Sequence, residues 1–156
     1  MQATAPTASA PDADLAARGA ARIAWIRSRM PLLAAVRAHF AETRPFAGRR
    51  VGMSLHLEPK TAVLLETLAA GGAEIVATGN HGSTQDDVVA HLRAIGLTVH
   101  GRRDDTLDDH RANLAAVLDA EPDILLDNGA DLAAGVVERG TTASILGGTE
   151  ETTSGG

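Results

Sequence analysis

His56, Glu58, Lys60 and Thr61 stand together in the segment HLEPKTA, and their side chains cover complementary chemistry. An imidazole gives or takes a proton near neutral pH. A carboxylate only accepts hydrogen bonds, an ammonium only donates, and a hydroxyl does both. Further along come His81 and Gln85 in TGNHGSTQDD, Asn128 in DNGAD, and Glu151 with Thr152 in EETTSG. His56, Glu58, His81 and either Asp127 or Asp131 include adequate ligand types for zinc or iron, but their spacing matches no metal signature, and no metal is expected. The chain has no cysteine, so thiol nucleophiles, thiolate metal sites and disulfides are excluded. It has no G-x-S-x-G elbow for a serine nucleophile and no G-x-G-x-x-G following a strand. Arg102-Arg103 can meet a carboxylate or phosphate, or simply be solvated.

These residues fall at regular places in the chain. Residues 1–14 are rich in Ala, Thr, Pro and Asp without periodicity and are expected to be a disordered arm. From Leu15 to Phe40 apolar residues recur at helical spacing, divided by Pro31 into two helices. VGMSL (51–55) reads as a strand, followed by a helix from Pro59 that ends at Gly71-Gly72. AEIVAT (73–78) is a second strand. Ser83 with Asp86 reads as a capping-box-like helix start, and Gly96 ends that helix. LTVH (97–100) is a third strand, Thr106 caps the next helix, and DILLD (123–127) is a fourth strand. A helix near Leu132 to Val137 precedes ASIL (143–146), read as the fifth. Strands that are apolar throughout and alternate with helices predict a three-layer α/β domain over 15–148 with a mostly parallel, Rossmann-like sheet of about five strands. Ligands bind such sheets outside the carboxyl ends of the strands. His56, Glu58, Asn80, His81, Asn128 and residues 147–151 all lie there.

Composition argues against nucleic acid and membrane as partners. Trp25, Phe40 and Phe46 are the only large aromatics, so the core is aliphatic and no stacking platform for single-stranded nucleic acid exists. A net charge of −6 without a basic run argues against binding a phosphate backbone. No stretch approaches a membrane span, and residues 1–14 do not read as a signal peptide. A cytoplasmic protein is expected.

The segments HLEPKTAVLLETL (56–68), STQDDV (83–88) and EETTSG (150–155), in this order, resemble the N-terminal substrate-binding half of S-adenosylhomocysteine hydrolase (adenosylhomocysteinase). The likeness runs from about Ile23 to Gly155 and is strongest to the archaeal and thermophilic-bacterial branch. It implies that His56 lies near the homocysteine sulfur and the ribose, Thr61 in the substrate pocket and Gln85 near the purine. It also implies that Glu151 bonds ribose hydroxyls and that Thr152 begins a run touching NAD. From the residues alone, Thr61 also suits a bond to a helix carbonyl, and His56 a strand-end histidine. Lys60 stands where other branches carry a carboxylate or amide. A donor-only group suits the 6-oxygen of hypoxanthine better than an amino group, so an inosine-type ligand is expected; a solvated lysine is the other reading.

The resemblance also marks departures. The family's DDGGD loop is DNGAD here, so an aspartate of the proton chemistry aligns with Asn128, whose amide orients a hydroxyl but cannot act as a carboxylate base. His81 is introduced in a loop one residue shorter than in the nearest branch; it is either an acid–base group or an exposed loop residue. The family's NAD domain would follow Gly156, with 149–156 as the start of a hinge. No cofactor is therefore expected to be bound by this chain alone. Three readings follow. The first is a shortened homologue that binds a nucleoside or thionucleoside without NAD chemistry, or runs a redox-independent reaction. The second is half of a split hydrolase needing a partner chain. The third is a non-catalytic interaction protein. A homodimer is a further expectation.

Overall fold

The computed structural model describes residues 10–151, with side chains from residue 12. Helix α1 spans Ala10–Arg27 and α2 Pro31–Thr43. Strand β1 (Arg50–Leu55), α3 (Pro59–Ala70), β2 (Glu74–Gly79), α4 (Asp86–Ala94) and β3 (Thr98–His100) follow. Then come α5 (Leu107–Asp119), β4 (Ile124–Asp127), α6 (Asp131–Arg139), a 3-10 turn (Thr142–Ser144) and β5 (Gly147–Glu150).

The five strands form one parallel sheet in the order β3-β2-β1-β4-β5. Side chains alternate across it. Val51, Met53, Leu55, Ile75 and Ala77 pack with α1, α3 and α4 residues in one core, whereas Val76 and Leu125 pack against Val117, Leu118, Leu132 and Val136 in the other. The winding order switches sides at β1: β2 and β3 are laid down on one side of it, β4 and β5 on the other, which puts the switch point between β1 and β4. In open α/β sheets such a switch point leaves a crevice beyond the strand ends.

Three local expectations are corrected. The arm expected over 1–14 is helical from Ala10: Pro11 suits a first turn, and Asp12 there complements the helix dipole. Residues 1–9, like Thr152, lie outside the described residues. ASIL is not the fifth strand. Thr142–Ser144 form the 3-10 turn, and Ile145 turns inward beside the second core. The strand is GGTE, which pairs Gly147–Glu150 with Ile124–Asp127 although all four of its residues are exposed. Thr149 and Glu150, expected in a hinge, are thus in the sheet. Ser83 does not cap α4. Gln85 is the N-cap residue, without a side-chain cap bond, and the reciprocal capping box occurs instead at Thr106 and Asp109 of α5.

Gly19 is buried where α1 crosses α4, and a Cβ there would lie 1.9 Å from the Asp87 carbonyl oxygen. Alanine is the better helix former by about 1 kcal/mol, but overpacking of this kind costs roughly 1–3 kcal/mol. Gly19→Ala is expected to lower stability on the order of 1–2 kcal/mol net, read as a lower urea midpoint. A rise in the midpoint would mean that α1 is not held this closely.

Candidate functional site

β1 ends at Leu55 and delivers His56, Leu57 and Glu58 to the sheet edge before Pro59 starts α3. Leu57 is fully buried and its carbonyl accepts the Gln85 N–H at 3.0 Å, which fixes the β1–α3 corner against the start of α4. His56 Nδ1 lies 2.7 Å from Ser83 Oγ. Ser83 in turn donates to the Asn80 carbonyl at 3.1 Å. Ser83 therefore orients His56, a role hidden in the sequence because both residues sit on loops of different βα units.

An amide strap crosses the carboxyl ends of the strands. Asn80, after β2, donates through Nδ2 to Asn128 Oδ1 at 2.6 Å. Asn128, after β4, donates through Nδ2 to the Glu151 carbonyl at 2.7 Å, just past β5. Both polar atoms of the Asn128 side chain are engaged in this way, each with one further hydrogen-bonding position to spare: a second hydrogen on Nδ2 and a second lone pair on Oδ1. Beneath it Asp127 is 3 % exposed and accepts the backbone N–H groups of Asn128 (3.0 Å) and Ala133 (2.9 Å). Burial pushes its carboxyl up from the ordinary range, the two backbone donors oppose that shift, and nearby Glu150 adds to it.

Two clefts open at this edge, and both include Glu58 and Lys60. The larger, about 550 Å³, runs between α2–α3 and the ends of β4 and β5. Thr61, Glu58 and Lys60 line one wall and Thr149, Glu150 and Glu151 the other, over an apolar floor that includes Leu55 and Leu126. The Thr61 hydroxyl makes no hydrogen bond among the described residues, unlike Thr67, which bonds the Val63 carbonyl at 2.8 Å. The second cleft, about 460 Å³, lies between α1 and the start of α3, with Trp25 and Ile26 facing Pro59 and Gln85. Lys60 Nζ stands 3.3 Å from Glu58 Oε1 between the two.

The expected site residues are thus only partly brought together. Glu58, Lys60, Thr61 and Glu151 share the larger cleft. Gln85 does not; its Oε1 accepts from Arg22 Nη2 in the second cleft. Arg22, on the first helix, carried no signal in the sequence. His81 is exposed and turns toward α5, its ring 6.5 Å from that of His110, which lies 3.6 Å from Asp131. No group of three or more His, Asp or Glu side chains among the described residues is arranged to hold a metal. No helix among them is long and apolar enough to cross a membrane.

A parallel doubly wound sheet with a polar-walled, apolar-floored cleft at its β1/β4 switch point defines a Rossmann-like α/β domain. The chain belongs to the S-adenosyl-L-homocysteine hydrolase family, whose sequence pattern matches residues 9–155. It is 48% identical over 147 residues to the S-inosyl-L-homocysteine hydrolase of Methanopyrus kandleri, covering 92% of this chain and 35% of that protein. It is 46% identical over 147 residues to the S-inosyl-L-homocysteine hydrolase of Methanocaldococcus jannaschii, with the same coverage of both chains. Against the adenosylhomocysteinase of Sulfolobus acidocaldarius it is 45% identical over 145 residues, again 92% and 35% of the two chains. The chain thus spans about a third of the length of these curated relatives.

Proposed function

We propose that this domain binds a nucleoside or thionucleoside of the S-inosylhomocysteine or S-adenosylhomocysteine type in the larger cleft, and that the hypoxanthine form is preferred. The observation that carries the reading is the pairing of walls across that cleft. Thr61 and the Glu58–Lys60 pair face Glu151 over an apolar floor. A flat base lies well on Leu55 and Leu126, a ribose offers hydroxyls to the Glu151 carboxylate, and Lys60 donates to the 6-oxygen of the base. The names of the relatives in the two methanogens point to the same ligand class. His56, held by Ser83, is the candidate acid–base group.

The glycine pair before Glu150 does not fit the pyrophosphate of NAD. The paired glycines Gly147 and Gly148 lie inside β5 rather than in a turn feeding a helix, so they form no pyrophosphate cradle. Oxidation at the ribose is therefore assigned to none of these residues. A second reading, that the domain works together with a further NAD-holding domain, is favoured by its covering 35% of relatives that are named S-inosyl-L-homocysteine hydrolases.

Calorimetric titration with S-inosylhomocysteine, S-adenosylhomocysteine and adenosine tests the proposal. Saturable binding is expected for both thionucleosides, weakened about tenfold by Thr61→Val through loss of one hydrogen bond from the cleft wall to a polar ligand. No heat at millimolar ligand would sink the proposal for the isolated chain. Binding that appears only on adding an NAD-loaded partner would establish the second reading.

A further inference from the structure

We infer that Asn128 is a built-in modification site, converted by the domain itself to aspartate or isoaspartate, with Glu150 as the base. Asn128 is followed by Gly129, which has a φ of +86° and no Cβ, and the space where a Cβ would stand is open, so no side chain shields the Asn128–Gly129 peptide from attack. That nitrogen donates to Glu150 Oε1 at 2.7 Å, within the reach a general base needs. The side-chain oxygen Oδ1 of Asn128 accepts from Asn80 Nδ2 at 2.6 Å, which places a donor where negative charge develops. Nucleophile, base and oxyanion donor therefore converge on one amide at a half-exposed position that water reaches.

In the first step the Gly129 nitrogen attacks Cγ of Asn128 while Glu150 takes its proton. The bond from Cγ to the side-chain nitrogen breaks, and Glu150 returns the proton to that nitrogen, which leaves as ammonia. The product is a five-membered succinimide. Water then opens it at either carbonyl, giving Asp or isoAsp. No oxidant or further reactant is consumed. A carboxylate cannot donate to the Glu151 carbonyl, so conversion cuts the strap at its β5 end and adds a negative charge beside Asp127, Glu150 and Glu151. Any consequence for ligand affinity rests on the proposed use of the larger cleft; the conversion does not.

The test is a time course of the full chain near neutral pH, read by peptide mass spectrometry and by isoaspartyl methyltransferase labelling. Asn80, followed by His81, and Asn113, followed by Leu114, are internal controls. Asn128 is expected to gain the amide-to-acid mass difference well before either. Glu150→Gln keeps an acceptor but removes the base, and is expected to slow the folded chain roughly tenfold or more. In urea, where Glu150 is no longer held beside Gly129, the substitution is expected to have no effect. Retention of the Asn128 amide on the timescale of the controls would overturn the inference. So would conversion at a rate indifferent to Glu150 in the folded chain. Ligand is absent from this experiment, so a failed titration leaves its outcome independent.

Discussion

Replacing Glu66 by alanine is expected to cost about 2–3 kcal/mol of stability, somewhat below the roughly 3–5 kcal/mol for breaking a fully buried ion pair. Glu66 sits on α3 with its side chain 4% exposed. It receives Arg27 from α1 in a short ion pair, Arg37 from α2 at 3.5 Å and His91 from α4 at 3.1 Å. One carboxylate thus joins four helices on one face of the sheet. Its removal leaves two guanidinium groups facing each other, and Arg27 Nε already lies buried without a partner. The discount is physical: Arg27 and Arg37 are 36% and 41% exposed, so the stranded charges can turn toward water. Glu66→Gln keeps the shape and one acceptor and is expected to lose less. Urea unfolding with an unchanged slope and a lower midpoint is the readout. Variants within about 0.5 kcal/mol of the parent would show the cluster to be a surface-like ornament of the packing. The cleft depends on it as well, because Met30 and Leu33 on the α2 side and Thr61 and Leu64 on α3 form its walls.

The sheet was legible from the sequence because its central strands are apolar on both faces. Residues 51–55 of β1 are all buried, and no helix period fits them. β5 was not legible, for a specific reason. Strand patterns record which side chains are buried, and β5 buries none; it is a strand only because its backbone pairs in register with Ile124–Asp127. ASIL carries the apolar residues that a strand would have, but Ile145 serves the second core from a turn. The N-terminal arm misled in the opposite sense. The first described turn of α1 carries Ala10, Pro11, Asp12 and Ala13, which leave no apolar period to read.

The site was legible where one loop carries it and obscure where two loops meet. Glu58, Lys60 and Thr61 lie on one corner, so the segment HLEPKTA places them together whatever else happens. Gln85 was expected beside the same ligand, yet the Glu58–Lys60 pair separates it from Thr61 and Glu151 and leaves it with Arg22. Asn128 was read as a weakened catalytic group. Its hydrogen bonds to Asn80 and Glu151 give it a mechanical task across three strand ends, and that task depends on contacts between residues far apart in the chain.

Exchanging Lys60 for methionine is expected to erase the preference for the inosine-type thionucleoside. The ammonium donates only, so it stabilises an oxygen at the 6-position and opposes an amino group there. A hydrogen bond from a charged donor contributes roughly 1.5–3 kcal/mol, which corresponds to an affinity ratio of about ten to a hundred. Lys60 is 66% exposed, and the smaller figure applies in an open cleft. Methionine keeps the length of the side chain and removes the donor. Affinity for S-inosylhomocysteine is expected to fall about tenfold, with that for S-adenosylhomocysteine little changed. Lys60→Gln is the sharper control, because an amide both accepts and donates; it is expected to bring the two ligands level by improving the adenosine form. A carboxylate would be the less clean choice, since it would stand against Glu58 at the place where Nζ now lies 3.3 Å from Oε1. An affinity ratio unchanged by both substitutions would place Lys60 outside base recognition and confine it to its ion pair with Glu58.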